Sequence, residues 1–246
     1  DDVKVAVRSK LRNVRIKDAL DGRPVTAEDL LLQVDNQGMS VTGKAGFDGV
    51  PLNVVWDENF KQNKDYRSRY KINLKMDAAT AKKLGVDYAM LKAPYFEGTA
   101  DIDAVATVAH NDDLTIDLKA ALGRSAMNYS FLGFVKHYGA PADLTARLVL
   151  KKGKLTAIPN FKLHKSGFDI AGKVNFDRSG NLRVVDIENI KGPKTRASAK
   201  IEMPASKKGI AKINISGNSY DLSEFFNRSE KETSGSSNDD SGWENT

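Results

Sequence analysis

Cysteine is absent from the 246 residues, so neither disulfides nor thiolate metal sites hold this chain together. That absence suits the cytosol and many periplasmic proteins alike. Apolar runs are short, and none approaches the roughly 20 residues that a membrane-spanning helix requires. Histidine is scarce: His110, His137 and His164 lie far apart, and none falls in an HExxH or HxH spacing, which removes the usual zinc patterns. There is no phosphate-binding loop, no GxGxxG and no GxSxG. Asp101 and Asp103 would share one strand face and read as exposed carboxylates. Asn111-Asp112-Asp113 lacks the calcium-loop pattern and reads as a turn. The chain is therefore expected to be no enzyme, with no cofactor and no metal.

Without an initiator methionine or a signal peptide at Asp1, the chain reads as an excised segment from which any targeting or anchoring segment would be missing. Net charge is +6, and the tail from Arg228 onward carries −3, so residues 1–227 carry +9. Such a balance favours anionic partners, whereas a solvated polar strand face is the plainer explanation. Nucleic acid is not expected. Sheets that bind single strands set aromatics beside basic residues on an exposed face, but Trp56, Tyr70, Phe168 and Phe176 fall among the apolar positions. Tyr66-Arg67-Ser68-Arg69-Tyr70 is the basic–aromatic exception and reads as a strand edge.

What the sequence has in abundance is alternation. The stretch over residues 142–226 reads as six strands closed by turns such as Lys151-Lys152-Gly153, Lys165-Ser166-Gly167 and Arg178-Ser179-Gly180, and ends in a short helix over 219–226. A period of two gives each strand one apolar and one wet face. A second meander spans residues 30–56, with Asp48-Gly49 predicting a hairpin whose turn needs positive φ twice. Strands are also predicted over 3–16, 66–76, 96–108 and 114–122, whereas 126–138 fits strand and helix equally. Asp77 as N-cap and Gly85 beyond the end predict a helix of about two turns. The fold expected is mostly β: an antiparallel meander forming a strongly curved sheet or U-shaped half-barrel groove, with a few short helices. Residues 1–227 would form one domain, a subdivision near 95 being the alternative, and 228–246 a disordered polar tail or linker.

On pattern alone the apolar face reads as core sooner than as a groove. Small residues on it (Ala146, Gly172, Ala197, Ala199, Ala211) would leave room for an acyl chain or permit close sheet packing. Three segments then bear on the choice. Gly167-Phe168-Asp169-Ile170-Ala171-Gly172 with Gly180-Asn181-Leu182 resembles a strand pair of the AsmA-like family of bacterial envelope proteins, the group that includes TamB and YhdP. Thr195-Arg196-Ala197-Ser198-Ala199 resembles the strand after it, and residues 213–222 resemble that family's closing element. The likeness is best over 95–227 and looser before. It implies a periplasmic segment of a parent protein anchored in the inner membrane, with a β-groove holding phospholipid acyl chains and a part in phospholipid transport to the outer membrane. No catalytic residues come with it.

The lipid-contacting residues expected on this reading are Leu148, Leu150, Phe168, Ile170, Val174, Phe176, Ile201, Met203, Ile213 and Ile215. They alternate with polar or mixed positions over successive strands, and no second set of strands clearly supplies an opposing layer. The alternatives are a non-enzymatic envelope scaffold that pairs through strand edges with other envelope proteins, and a basic-faced module for anionic glycan or nucleic acid.

Overall fold

The computed structural model describes residues 4–20, 22–61, 64–86, 88–204 and 209–220. Of the expected helix over 219–226, Ser219 closes a strand and Tyr220 follows it outside any helix; residues 221–226 and the tail over 228–246 lie outside the described residues.

The chain begins with five strands: β1 (Ala6–Leu20), β2 (Arg23–Asp35), β3 (Gly38–Phe47), β4 (Val50–Asn59) and β5 (Ser68–Met76). Helix α1 (Ala78–Lys83) follows, then a 3-10 turn (Ala89–Leu91), β6 (Phe96–Gly98), β7 (Ala100–Val108), β8 (Leu114–Ala121) and β9 (Ser125–Tyr129). After a second 3-10 turn (Ser130–Leu132) come β10 (Phe134–Lys136), β11 (Ala142–Lys151), β12 (Lys154–Lys165), β13 (Phe168–Phe176), β14 (Leu182–Lys191), β15 (Arg196–Glu202) and β16 (Lys212–Ser219). Thirteen strands form one antiparallel sheet in the order β1-β2-β3-β4-β5-β7-β8-β11-β12-β13-β14-β15-β16, which does not close into a barrel. The other three make a small sheet, β10-β9-β6. No helix among the described residues is long and apolar enough to cross a membrane, which says nothing of crossing by strands.

Local chemistry accounts for the punctuation. At the β3–β4 hairpin, Asp48 and Gly49 have φ of 50° and 73°, the doubly positive turn that matches the twist of the flanking strands. The Asp77 carboxylate accepts the Thr80 backbone N–H at 2.7 Å and caps α1, and that bond holds the carboxyl below its ordinary range. Lys82 and Lys83 occupy the last turn, where the helix dipole favours cations.

Two sequence expectations are corrected. The predicted strand over 96–108 is two strands in different sheets. Gly98 turns the chain at φ 91° and lies so close to the Arg124 carbonyl that a Cβ would sit 2.4 Å from it. β6 thereby leaves the large sheet and pairs with β9, while β7 stays in it. The ambiguous stretch over 126–138 is two short strands around a 3-10 turn ended by Gly133 at φ 69°. Near residue 95 the large sheet is unbroken, because β5 pairs with β7 from Ser68↔Val108 to Met76↔Ala100.

Candidate binding face

Side chains directly opposite one another on paired strands share a face of the sheet. Followed from strand to strand, the register therefore identifies whole rows. One row reads Leu11, Leu30, Gly43, Val54, Ile72, Ala104, Leu118, Ala146, Phe161, Gly172, Ile187, Ala199, Ile215. It takes one residue from every strand of the large sheet, and none is polar. Twelve steps of about 4.8 Å make this ladder about 58 Å long. The row on the other face that starts at Lys44 reads Lys44, Asn53, Asn73, Asp103, Lys119, Thr145, Lys162. Its neighbours carry ion pairs such as Arg147–Asp117 at 2.6 Å and Lys173–Glu188 at 2.8 Å, all in solvent and individually weak.

The small sheet covers one stretch of the apolar face. Phe96, Met127, Tyr129 and Phe134 pack onto Ile102, Ala120, Leu163, Phe168, Ile170, Ile187 and Ile190 to form the main core. Phe134 is fully buried and meets the Phe168 ring edge-on at 5.2 Å, while stacking on Tyr129 at 6.2 Å. Burial pushes the Tyr129 phenol up to about 12, and its hydroxyl donates to the Met90 carbonyl at 2.8 Å. Lys136, also inward on β10, donates to the Ser125 and His137 carbonyls; burial first, and Lys165 second, lower its pKa. An opposing apolar layer therefore does exist over this region, built from strands of three to five residues.

The ten residues expected to contact lipid separate accordingly. Phe168 and Ile170 are 2% and 3% exposed and lie in the core under the small sheet, so neither offers an open surface. Leu148, Leu150, Val174, Phe176 and Ile201 are half-buried. Met203, Ile213 and Ile215 are exposed at the β15–β16 end. Gly172 is not spare room: a Cβ there would lie 2.3 Å from the Asp186 carbonyl oxygen, at a bulge where β13 shifts register against β14. Ala211 is exposed and precedes β16.

The first five strands hold the part that the sequence reading passed over. Leu11, Leu32, Val54, Trp56, Tyr70 and Ile72 are half-buried there, with Trp56 stacked on Tyr70 at 5.7 Å. Leu30 and Val41 are buried in a second cluster made only of residues from β1 to β4. Tyr66 and Arg69, from the basic–aromatic cluster, stack on each other at 3.9 Å, and Arg67 pairs with Asp112 at 2.5 Å. Between β4 and β5 the ladder runs from Glu58↔Ser68 to Asn53↔Asn73 and stops, although both strands continue. A cavity of about 470 Å³ opens at this notch, lined from the apolar face by Ala45 and Leu52 and, at the margin of the main core, by Leu74 and Ile102. Among the described residues, no group of His, Asp and Glu is arranged to hold a metal ion.

Comparisons with protein-family profiles, with curated proteins and with solved structures find no match to this chain.

Proposed function

We propose that the apolar face of the thirteen-stranded sheet is a lipid-contacting surface and that the sheet bows around it as an open trough. The observation that carries this reading is the unbroken apolar ladder from Leu11 to Ile215, of which only one stretch is covered by the small sheet. A core needs an opposing layer along its whole length; half-buried Val54, Ile72 and Trp56 have none among the described residues. Burial of Leu30 and Val41 by side chains of their own sheet is what a bowed sheet produces. The ladder of about 58 Å exceeds the roughly 15 Å that one leaflet's acyl chains span, so it has the length of a track and not of a single seat.

The likeness of the closing strands to the AsmA-like family supports placing this activity in a bacterial envelope. The chain would then be a periplasmic segment of an inner-membrane-anchored parent, working without catalysis in phospholipid movement toward the outer membrane. Native mass spectrometry of the purified protein tests the reading directly, with co-purified phospholipid as the expected result. Binding of a fluorescent phospholipid should fall at least about tenfold in Ile72→Asp and Ile201→Asp, each still folded. Apo protein together with unchanged binding in both variants would reject it. The scaffold alternative draws on β16, whose residues are all exposed and whose outer edge is unpaired among the described residues. Loss of a protein complex on deleting β16, with no lipid bound by the intact chain, would favour that alternative.

A further inference from the structure

We infer that the notch between β4 and β5 is a lateral portal through which a phospholipid with an anionic headgroup enters the trough. The inference rests on the lipid-contact reading and says where the ligand crosses the sheet. Two independent observations meet at this place.

The first is the missing rungs. β4 continues to Val50 and β5 to Met76, yet no pair forms beyond Asn53↔Asn73. Both strands remain paired on their outer sides: β4 holds β3 as far as Phe47↔Val50, and β5 holds β7 as far as Met76↔Ala100. The sheet is therefore split locally while its flanks stay intact. Pro51, one residue beyond Leu52, has no N–H for any ladder. An opening of about 470 Å³ is within the range of small-ligand sites.

The second is the chemistry of the two rims. Ala45 and Leu52 present half-buried hydrocarbon on the trough side, beside Leu74 and the buried Ile102 at the margin of the covered core. On the solvent side stand Lys44 and Lys75 with Asp101 and Asp103. The carboxylates are engaged: Asp101 pairs with Arg124, and Asp103 accepts from Asn73. Lys44 and Lys75 are exposed, and neither makes an ion pair or side-chain hydrogen bond among the described residues. Two free ammonium groups on the wet rim and an aliphatic lining on the other match a phosphate headgroup followed by acyl chains. An acyl chain crossing there avoids climbing over the end of a strand, and the headgroup stays in water beside the lysines.

The test follows loading of fluorescent phosphatidylglycerol from phosphatidylcholine vesicles. In Lys44→Glu/Lys75→Glu, both positions being solvent-exposed, loading should slow at least about tenfold, with a smaller change for a fluorescent phosphatidylcholine. A second variant, Leu52→Cys/Leu74→Cys, places the chain's only two thiols at the next rung. Oxidised glutathione takes both sulfhydryl hydrogens as the S–S bond forms, zipping the notch shut; loading should stall and return on reduction. An unchanged rate in the charge-reversed variant, or equal rates in the oxidised and reduced cysteine variant, overturns the portal while leaving the lipid-contact reading intact. If the thiols do not join, charge reversal decides alone. No loading by the unmodified protein overturns the lipid-contact reading itself. Equal slowing of both lipids by charge reversal would overturn the headgroup assignment.

Discussion

Strands β7, β8 and β11 to β16 share one sheet, one alternation and one apolar row with strands β1 to β5, yet the two groups' apolar faces live in different surroundings. On the first group, Ile102, Ile170, Ile187 and Ile190 are sealed beneath Phe134 and its neighbours. On the second, Val54, Trp56 and Ile72 are left half-exposed. The strand pattern is the same in both, so alternation decides which side chains share a face but not whether that face is dry. The covering layer decides, and here it is spliced into the meander in two pieces, one between β5 and β7 and the other between β8 and β11.

The largest contrast should come from placing the same charge in the two surroundings. Ile170→Asp would bury an unpaired carboxylate and should cost about 4 kcal/mol or more, enough to abolish the cooperative melt. Ile72→Asp can keep its carboxylate hydrated and should cost only about 1 kcal/mol. Equal losses in thermal melts would erase the distinction between the covered and the uncovered face. Phe134→Ala comes next. Removing this ring should cost about 3–5 kcal/mol, and limited proteolysis should then cut first within residues 123–140. A Phe134→Ala protein with an unaltered melt would mean that the small sheet does not hold the face shut.

The smallest effect concerns a hairpin outside the covered patch. Asp177 is held down at about 2 by the Asn181 backbone N–H at 2.9 Å, by the Asn181 side chain, by the Ser179 N–H at 2.8 Å and by the Arg183 guanidinium at 2.7 Å. Its folded pKa lies below the unfolded value of 3.8, so its contribution to stability is fully present above that pH and is lost as pH falls toward 2. Melting temperature between pH 4 and pH 2 should fall less steeply in Asp177→Asn than in the unmodified protein. Parallel slopes would remove this anchor from the acid response.

The strands were legible because alternation and turn chemistry are local. Leu144 to Leu150 and Phe168 to Phe176 fall where their apolar spacing placed them, and Asp48-Gly49 and Asp77 do what their side chains and φ preferences require. The small sheet was not legible. Its strands of three residues at β6 and β10 are too short to show a period, and the turns that direct them depend on Gly98 and Gly133 at positive φ. The expectation of an open surface at Ile170 missed the burial that this small sheet imposes. The ladder and the notch were hidden for another reason: both are properties of register between strands. Bulges between Thr26 and Leu30, and between Ala171 and Gly172, reset that register by one residue.

The nearest-neighbour order of the large sheet has a kinetic side. Each strand bonds to those that flank it in the meander, and the longest detours, from β5 to β7 and from β8 to β11, are the two that carry the small sheet. Few rungs wait on the closure of a long loop, so structure can spread from any hairpin to its neighbours, as in a linear array of coupled units. Opening runs in reverse, and β1 and β16, with one partner strand each among the described residues, are the first to come away.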